Sequence, residues 1–269
     1  MSESVVLSEV DARGVATVSL NRPAVNNAYN AEVIEGLART FAALASNPAV
    51  RLVVLRGNGK HFQAGADLGF LRELAAKPFE EGLAFSRLTV ATVDALRRFH
   101  RPTIALVHGG CFGGGVGLVA ACDIAIATTD AVFSLSEVRW GITPAPIMGV
   151  LTRKLGPRVL GRFALSGERF DAATAHRIGL AHQVCAPGRL DEAASPVIEA
   201  LLTAAPDATA TTKALIEESL LHDGEPHFND ALAQEGAARR LMPEASEGLA
   251  SFAEKRLPAW YPAQTITNS

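Results

Sequence analysis

Hydrophobic and polar positions near the start of the chain follow the pattern of two strands joined by a turn. Apolar residues, many of them β-branched, recur through 5–10 and again through 15–20. Between these segments stand Asp11 and Gly14, and a glycine can adopt the positive φ that a tight turn requires. The pattern predicts an opening β-hairpin.

The next hydrophobic pattern has the period of a helix. After Asn30, a favourable N-cap residue, apolar side chains return every three or four positions through 33–44, and Asn47 with Pro48 ends the run. A short apolar segment, 52–55, then predicts a buried strand.

The rest of the pattern alternates helices and strands. Helical spacing returns through 83–99, and Pro102 separates this helix from the strand that follows. The pattern then predicts four short elements, which are a strand at 103–107, a helix at 119–122 and strands at 124–127 and 131–135. Most of the remaining chain is predicted to be helical. This alternation is typical of an α/β fold.

The composition is that of one globular, enzyme-sized unit. The chain has 269 residues, of which 48% are hydrophobic and 20% charged, and this is enough to bury a substantial core. A net charge of −3 does not supply the basic face that binds nucleic acid, so we expect no nucleic-acid partner. Three cysteines in a chain too long to need disulfides predict reduced thiols and a cytoplasmic location. No apolar stretch is long enough to predict a membrane span.

Several common catalytic and binding motifs are absent from the sequence. Neither glycine pattern of the nucleotide-phosphate loops occurs, and there is no H-E-x-x-H, C-x-x-C or G-x-S-x-G motif. The seven histidines are scattered along the chain. We therefore expect neither a metal site nor a serine nucleophile.

Two glycine-bearing segments remain as candidates for chemistry. One spans 61–68 and the other 109–118, and each follows a predicted strand. If each turn directs one backbone N–H at the same point, the pair forms an oxyanion hole, which stabilises negative charge on a carbonyl oxygen. The alternative is that these glycines only turn the chain.

A series of short motifs in one order makes the resemblance to a known family specific. The motifs are Asn21-Arg22-Pro23 with Asn27-Ala28, Ala64-Gly65-Ala66-Asp67-Leu68, Gly113-Gly114-Gly115 leading to Ala121-Cys122-Asp123, Ser136-Glu137 with Gly141-Ile142-Thr143-Pro144, Leu165-Ser166-Gly167-Glu168, and Ile178-Gly179-Leu180. Together they resemble the enoyl-CoA hydratase/isomerase (crotonase) superfamily. The resemblance implies an α/β, crotonase-like spiral of ββα units in a core domain of residues 1–200. It also implies a helical C-terminal region, 201–269, that assembles the chain into a homotrimer or homohexamer.

The resemblance also implies the catalytic groups. The superfamily's two oxyanion-hole amides correspond by position to Ala66 and Gly114, which would hold the oxygen of an acyl-coenzyme A thioester. Hydratases of the superfamily have a first catalytic glutamate three residues after that middle glycine and a second one 20 residues further on, where this chain has Gly117 and Glu137. A single carboxylate, Glu137, is therefore expected to act as acid and base. The alternative for Glu137 is a surface carboxylate at the end of a strand.

Substrate-binding residues follow from the same resemblance. They are expected to be Ala64, Gly65, Ala66, Asp67, Leu68, Gly114 and Lys255. Lys255 resembles the cation that meets a coenzyme A phosphate from a neighbouring subunit. Asp67 is expected to be mainly structural, as the cap of the turn or of the following helix. Coenzyme A is part of the substrate, so no separate cofactor is expected.

Three functions remain open at this point. The preferred one is an enoyl-CoA hydratase, a lyase, that adds water to the C2=C3 bond of a branched or carboxylated 2-enoyl-CoA through a thioester enolate. The others are a Δ3-Δ2 enoyl-CoA isomerase, which Gly117 keeps open, and a non-catalytic acyl-CoA binder, against which Glu137 argues. The segment 133–145 is similar to hydratases of isohexenylglutaconyl-CoA and methylglutaconyl-CoA. A second substrate carboxylate would need a cation, for which Arg139 and Arg72 are candidates.

Overall fold

The computed structural model describes residues 4–222 and 224–262, which form nine strands and ten helices. The strands are β1 (Val6–Val10), β2 (Val15–Leu20), β3 (Leu52–Gly57), β4 (Thr103–Val107), β5 (Gly110–Phe112), β6 (Ile124–Thr128), β7 (Val132–Ser134), β8 (Arg169–Asp171) and β9 (Gln183–Cys185). The helices are α1 (Ala31–Ala45), α2 (Leu68–Ala75), α3 (Phe79–Arg97), α4 (Gly114–Ala121), α5 (Met148–Ser166), α6 (Ala172–Arg177), α7 (Leu190–Thr203), α8 (Pro206–His222), α9 (Pro226–Arg239) and α10 (Pro243–Ala253). The chain is therefore α/β, as expected.

The strands are divided between two sheets. The larger sheet has the order β1-β2-β3-β4-β6-β9, with β1 antiparallel to β2 and every other pair parallel. The smaller sheet has the order β5-β7-β8, in which β5 and β7 run parallel. In chain order, β1-β2-α1, β4-β5-α4 and β6-β7-α5 repeat one pattern, which is the predicted series of ββα units. The second strands of the last two units lie in the smaller sheet.

Both faces of the larger sheet are buried. In β3, Val53 and Leu55 belong to the main hydrophobic cluster, while Leu52 and Val54 face a second cluster that includes Leu190 from α7. Helices cover a parallel sheet on both sides, which explains why its strands appear in the sequence as continuous apolar runs.

The first helix forms as its sequence predicts. The Asn30 side chain accepts a hydrogen bond from the Val33 N–H at 3.1 Å and caps α1. Val33, Leu37 and Phe41 lie on its buried face, because side chains three and four residues apart share one side of a helix.

Three short strands and the start of one helix differ from the sequence prediction. The helix expected at 119–122 begins at Gly114, because nearly all of α4 is buried and packing outweighs the low helix propensity of its glycines. A further strand, β5, lies between β4 and the second glycine turn, so that turn does not directly follow the predicted strand. The three-residue strands β8 and β9 were too short to produce an alternating pattern.

Asn27 ties the segment before α1 to the loop after β3. Its side-chain amide donates to the Asn58 and His61 carbonyl oxygens at 2.9 and 2.8 Å, and its oxygen accepts from the Arg22 N–H at 2.8 Å. Asn27 is almost fully buried, so these bonds satisfy a polar side chain that would otherwise be costly to bury. They place the following residues beside the first glycine turn.

Helices α7 to α10 make up the C-terminal part of the described chain. The predicted boundary between residues 200 and 201 falls within α7, and residues 263–269 of the predicted region lie outside the described residues. Two separate domains therefore stay a prediction. None of the helices in the described ranges combines the length and the apolar character that crossing a membrane requires.

Candidate active site

In the first glycine turn, Ala64–Leu68, the Ala66 N–H has no protein partner among the described residues. The Tyr29 N–H donates to the Gly65 oxygen and the Asp67 N–H donates to the Tyr29 oxygen, both at 2.9 Å. Ala66 lies between these two bonds and pairs in parallel with Tyr29. Among the described residues, no protein atom accepts from the Ala66 N–H, which is therefore available to a ligand.

The second glycine turn presents another N–H at the start of α4. Gly113 has φ 51° and ψ −118°, values that favour glycine, and its N–H donates to the Ser134 oxygen at 2.9 Å. Gly114 is the first residue of α4, where a backbone N–H has no partner within the helix. No acceptor for the Gly114 N–H occurs in residues 4–222 and 224–262.

Gln63 joins the two turns. Its backbone oxygen accepts from the Phe112 N–H at 2.9 Å, and its side-chain Oε1 accepts from the Gly65 N–H at 2.8 Å. The same Oε1 lies 2.7 Å from where a Cβ of Gly115 would stand, so a side chain at position 115 would displace the Gln63 amide from Gly65. Ala66 and Gly114 consequently line one cavity.

Glu137 enters this cavity from the end of β7. It begins a 3₁₀ turn, Glu137–Trp140, and its Oε1 lies 2.8 Å from the Cβ position that Gly113 lacks. Its Oε2 is buried and has no hydrogen-bond partner among the described residues. Burial raises the pKa of Glu137 above its ordinary value of 4.5. This side chain is a partly desolvated carboxyl group in a cavity, in contrast to the alternative of a surface carboxylate.

The position of the missing first glutamate is filled by an apolar side chain. Gly117 lies inside α4, and a Cβ there would stand 2.3 Å from Cγ2 of Ile147. Ile147 is buried and lines the cavity. Because Ile147 packs against Gly117, there is no room for a carboxylate side chain at position 117 unless Ile147 moves.

The remaining predicted residues divide into two groups. Ala64, Gly65 and Leu68 line the cavity with Ala66 and Gly114. Asp67 caps α2 by accepting from the Gly69 and Phe70 N–H groups at 3.0 and 3.3 Å, and it pairs with Arg22, so its structural role agrees with expectation. These contacts lower the pKa of Asp67 below its ordinary value.

Of the three cations singled out from the sequence, Arg139 lines the cavity. Arg72 lies in α2 and does not belong to the lining. Lys255 is exposed just after α10, with a positive φ of 54°, and also lies outside the lining. Lys255 is therefore not placed to contact a phosphate of a ligand bound in the cavity of its own chain.

Sequence reasoning missed several lining residues. Tyr29 stacks on Phe85 with ring centroids 6.5 Å apart, and Arg169 places its guanidinium 5.6 Å from the centre of the Phe112 ring. Burial, followed by the negative charge of Glu137, raises the pKa of Tyr29 to about 12. Position 29 directly follows the Asn27-Ala28 motif, and this adjacency is the sequence signal that was available.

The cavity has a volume of about 1140 Å³. Its lining combines apolar residues from α2 and α3 with the two glycine turns and the 3₁₀ turn that starts at Glu137. A cavity of this size accommodates an acyl chain and part of a larger carrier. Two unpaired N–H donors and one buried carboxyl group at its wall are suited to chemistry at a carbonyl and at the carbon next to it.

One group of possible metal ligands lies elsewhere. His222, Glu225 and His227, near the junction of α8 and α9, offer ligand atoms within 4.8 Å of one another. None of them lines the cavity, and each imidazole lies within 3.2 Å of a Glu225 carboxylate oxygen. They take no part in the candidate site.

Comparison with known proteins assigns the family. Residues 11–263 match the family model described as enoyl-CoA hydratase/isomerase. A putative enoyl-CoA hydratase of Thermus thermophilus is 32% identical over 93% of this chain and 98% of its own length. A crotonyl-CoA hydratase of Syntrophomonas wolfei is 30% identical over 94% and 96%. The crystal structure of an enoyl-CoA hydratase from Shewanella pealeana superposes with a TM-score of 0.91 at 36% identity, covering 95% of this chain and 96% of that one.

The matched family model and the similar crystal structure define the class of protein. The chain belongs to the enoyl-CoA hydratase/isomerase family. The predicted superfamily and its crotonase-like fold are thereby confirmed. The relatives are named as enoyl-CoA hydratases, which agrees with the prediction of a lyase.

The partial burial of Glu137 predicts that replacing its carboxyl group with a neutral amide stabilises the folded protein, and that the gain depends on pH. A carboxyl group with a raised pKa in the folded state contributes stability that is complete below 4.5 and is lost as the pH rises through the folded-state pKa. Glu137→Gln should therefore unfold at a higher urea concentration than the wild type at about pH 8, and the difference should shrink toward pH 4.5.

The control for this experiment is Glu168→Gln. The ion pair with Arg162 lowers the pKa of Glu168, so removing its charge should give no gain at the higher pH. Identical pH profiles for the Glu137 variant and the wild type would contradict a desolvated carboxyl group at position 137.

The contact between α4 and Ile147 predicts that any side chain at position 117 destabilises the fold. Gly117→Ala should lower the free energy of unfolding by about 1 to 3 kcal/mol, because the added methyl group overlaps Ile147 in a packed core. In α5, Gly161 has no atom within 4 Å of its Cβ position, so Gly161→Ala should be neutral or stabilise by up to about 1 kcal/mol. Equal effects of the two variants in urea denaturation would refute the overlap.

Proposed function

We propose that this protein hydrates the C2=C3 double bond of a 2-enoyl-CoA thioester. The observation that carries the proposal is the meeting, in one cavity, of two unpaired backbone N–H groups and a buried carboxyl group. The donors, at Ala66 and Gly114, suit a thioester oxygen, and Glu137 suits the proton transfers. Names of the relatives support the same reaction class.

In the proposed mechanism the thioester oxygen accepts hydrogen bonds from both N–H groups. Addition of a nucleophile at C3 moves electron density onto this oxygen and produces an enolate, whose charge the donors stabilise more strongly than that of the starting ester. Gly114 adds the positive end of the α4 dipole to this field. Such a donor is worth on the order of 3 to 4 kcal/mol in comparable sites.

Glu137 carries out both proton transfers in this mechanism. It takes one proton from water as the oxygen–C3 bond forms, and it returns a proton to C2 as the enolate collapses. The net change is the addition of one water molecule, with the hydroxyl at C3 and the hydrogen at C2. A raised pKa makes the ionised Glu137 a stronger base than an exposed glutamate.

One observation favours isomerisation as the second candidate. With Ile147 against Gly117, no second carboxylate stands on that wall of the cavity in the described part of the chain. Moving a double bond between C3 and C2 needs one base that shuttles a proton between C4 and C2 through the same enolate. A non-catalytic acyl-CoA binder is a third candidate, and the unpartnered carboxyl group of Glu137 argues against it.

We infer that the acyl chain is branched or carries a second carboxylate. Arg139 and Arg169 both line the cavity, and neither forms an ion pair within the described residues. An unpaired guanidinium next to an apolar lining suits a carboxylate at the far end of an acyl group. Arg139 therefore remains a candidate from the sequence, while Arg169 replaces Arg72.

We also infer that the chain self-associates, as a homotrimer or homohexamer. Large apolar side chains on α8 and α10 are exposed, including Ile216, Leu220, Leu249 and Phe252. Exposed apolar groups of this size favour a contact with another surface. In such an assembly Lys255 would reach the phosphate of coenzyme A bound to a neighbouring chain.

A cytoplasmic location and the need for no separate cofactor stay predictions.

The proposal is tested by incubating the protein with linear, branched and carboxylated 2-enoyl-CoA and 3-enoyl-CoA esters. The masses of the products are then measured by mass spectrometry. A gain of one water from a 2-enoyl ester is expected, and Glu137→Gln should lose at least about a hundredfold in turnover while still binding the ester. A product of unchanged mass with a moved double bond would establish the isomerase instead. Full turnover by Glu137→Gln would exclude this residue as acid and base.

The same panel tests the substrate class. Arg139→Gln and Arg169→Gln should raise KM for carboxylated esters by about tenfold and leave uncarboxylated esters unaffected, because each removes one charge-assisted contact. Arg177→Gln is the control, since Arg177 lies outside the cavity lining. A uniform effect on all esters would contradict a contact with the acyl carboxylate.

A further inference from the structure

Tyr29 is fixed beside the first glycine turn by its backbone. Its N–H and its oxygen bond on either side of Ala66, and the ring stacks on Phe85 of α3. The ring position is therefore determined by the same bonds that leave the Ala66 N–H unpaired. Any movement of Tyr29 would disturb that turn.

One edge of the Tyr29 ring lies against Gly114, the residue of the second donor. Its Cε1 and Cζ atoms stand 2.6 and 3.3 Å from the Cβ position that Gly114 lacks. Glu137 lies in the same way against the neighbouring glycine, with Oε1 2.8 Å from the Cβ position of Gly113. The phenol and the carboxyl group thus lie over consecutive residues of one turn and both line the cavity.

The Tyr29 hydroxyl is an unused hydrogen-bond donor. No atom of the described residues bonds to it, and it is not one of their buried unpartnered atoms, so it is accessible from the cavity that Tyr29 lines. With its pKa raised to about 12, the phenol keeps its proton at any pH at which the protein works. It can therefore donate a hydrogen bond to an oxygen atom in the cavity without itself exchanging protons.

We propose that the Tyr29 hydroxyl positions the oxygen that is added to C3, in the role left vacant by the glycine at position 117. This inference rests on the proposed hydration. The hydroxyl donates to the oxygen of the incoming water, whose proton goes to Glu137 as the oxygen–C3 bond forms. Glu137 then delivers a proton to C2, and the proton of Tyr29 stays in place throughout. In the reverse direction Tyr29 donates to the departing hydroxyl at C3.

Comparing hydration with hydrogen exchange at C2 tells whether Tyr29 acts on the incoming water or on the enolate. Hydration requires a positioned water, whereas exchange of the C2 hydrogens of a saturated acyl-CoA with D₂O requires only the base and the oxyanion hole. The probes are the 2-enoyl ester that the wild type hydrates fastest and its saturated counterpart. Tyr29→Phe should lower kcat for hydration about ten- to a hundredfold, the effect of one lost hydrogen bond in the transition state, while KM and the exchange rate stay unchanged.

The chain supplies a matched control in its second tyrosine. Tyr261 bonds through its hydroxyl to Glu199 at 2.8 Å and lies outside the cavity lining, so Tyr261→Phe should leave both reactions unchanged. Hydration by Tyr29→Phe at the wild-type rate would overturn the inference. Equal losses of hydration and exchange would also overturn it, because Tyr29 would then act on the enolate. A wild type that exchanges C2 hydrogens but hydrates no ester would refute the proposed hydration itself, and with it this role.

Discussion

The candidate site depends on the pairing of two glycine turns through Gln63. Backbone polar groups in a protein interior are almost always bonded, so leaving two N–H groups unpaired at one place requires the surrounding backbone to be held firmly. Gln63 does this with its main chain toward Phe112 and its side chain toward Gly65. The bonds on both sides of Ala66 complete the arrangement. The unpaired donors are therefore built into the fold before any ligand arrives.

A second constraint concerns charge. Glu137 is partly buried and its buried Oε2 has no partner among the described residues, so its ionised form is disfavoured. This cost makes Glu137 a stronger base than an ordinary surface glutamate, and a ligand that donates a hydrogen bond or a proton to the ionised carboxylate relieves it. Ile147 against Gly117 removes a second carboxylate from the same wall. The site therefore concentrates its proton chemistry on one residue, and the Tyr29 hydroxyl is a further hydrogen-bond donor in the same cavity.

Much of the fold was predictable because its main elements are strongly patterned. The hairpin β1-β2 and helix α1 each produced a recognisable pattern in the sequence, and the buried strands β3, β4 and β6 appeared as short apolar runs. Short elements such as β8 and the glycine-rich start of α4 did not, because tertiary packing rather than local propensity forms them.

The candidate site was likewise predictable only where its residues stand in sequence motifs. Ala66, Gly114 and Glu137 stand in motifs whose order along the chain carries information, and the structure places all three at one cavity. Tyr29 and Arg169 each directly follow a motif, but that adjacency does not show that they line the cavity, which they reach through pairing between distant segments. The packing of Ile147 against Gly117 could not be predicted either. The sequence shows that position 117 is a glycine, but it does not show which side chain packs against it.

The central claim is that the N–H groups of Ala66 and Gly114 polarise the thioester carbonyl of an enoyl-CoA. The most direct measurement is infrared difference spectroscopy of an enoyl-CoA labelled with ¹³C at the thioester carbonyl, free in solution and bound to the protein. Two hydrogen bonds to the oxygen weaken the C=O bond, so the stretching band of the bound ester should move to lower frequency than in water. A band that stays at its aqueous frequency, with the ester bound, would contradict the oxyanion hole on which the account depends.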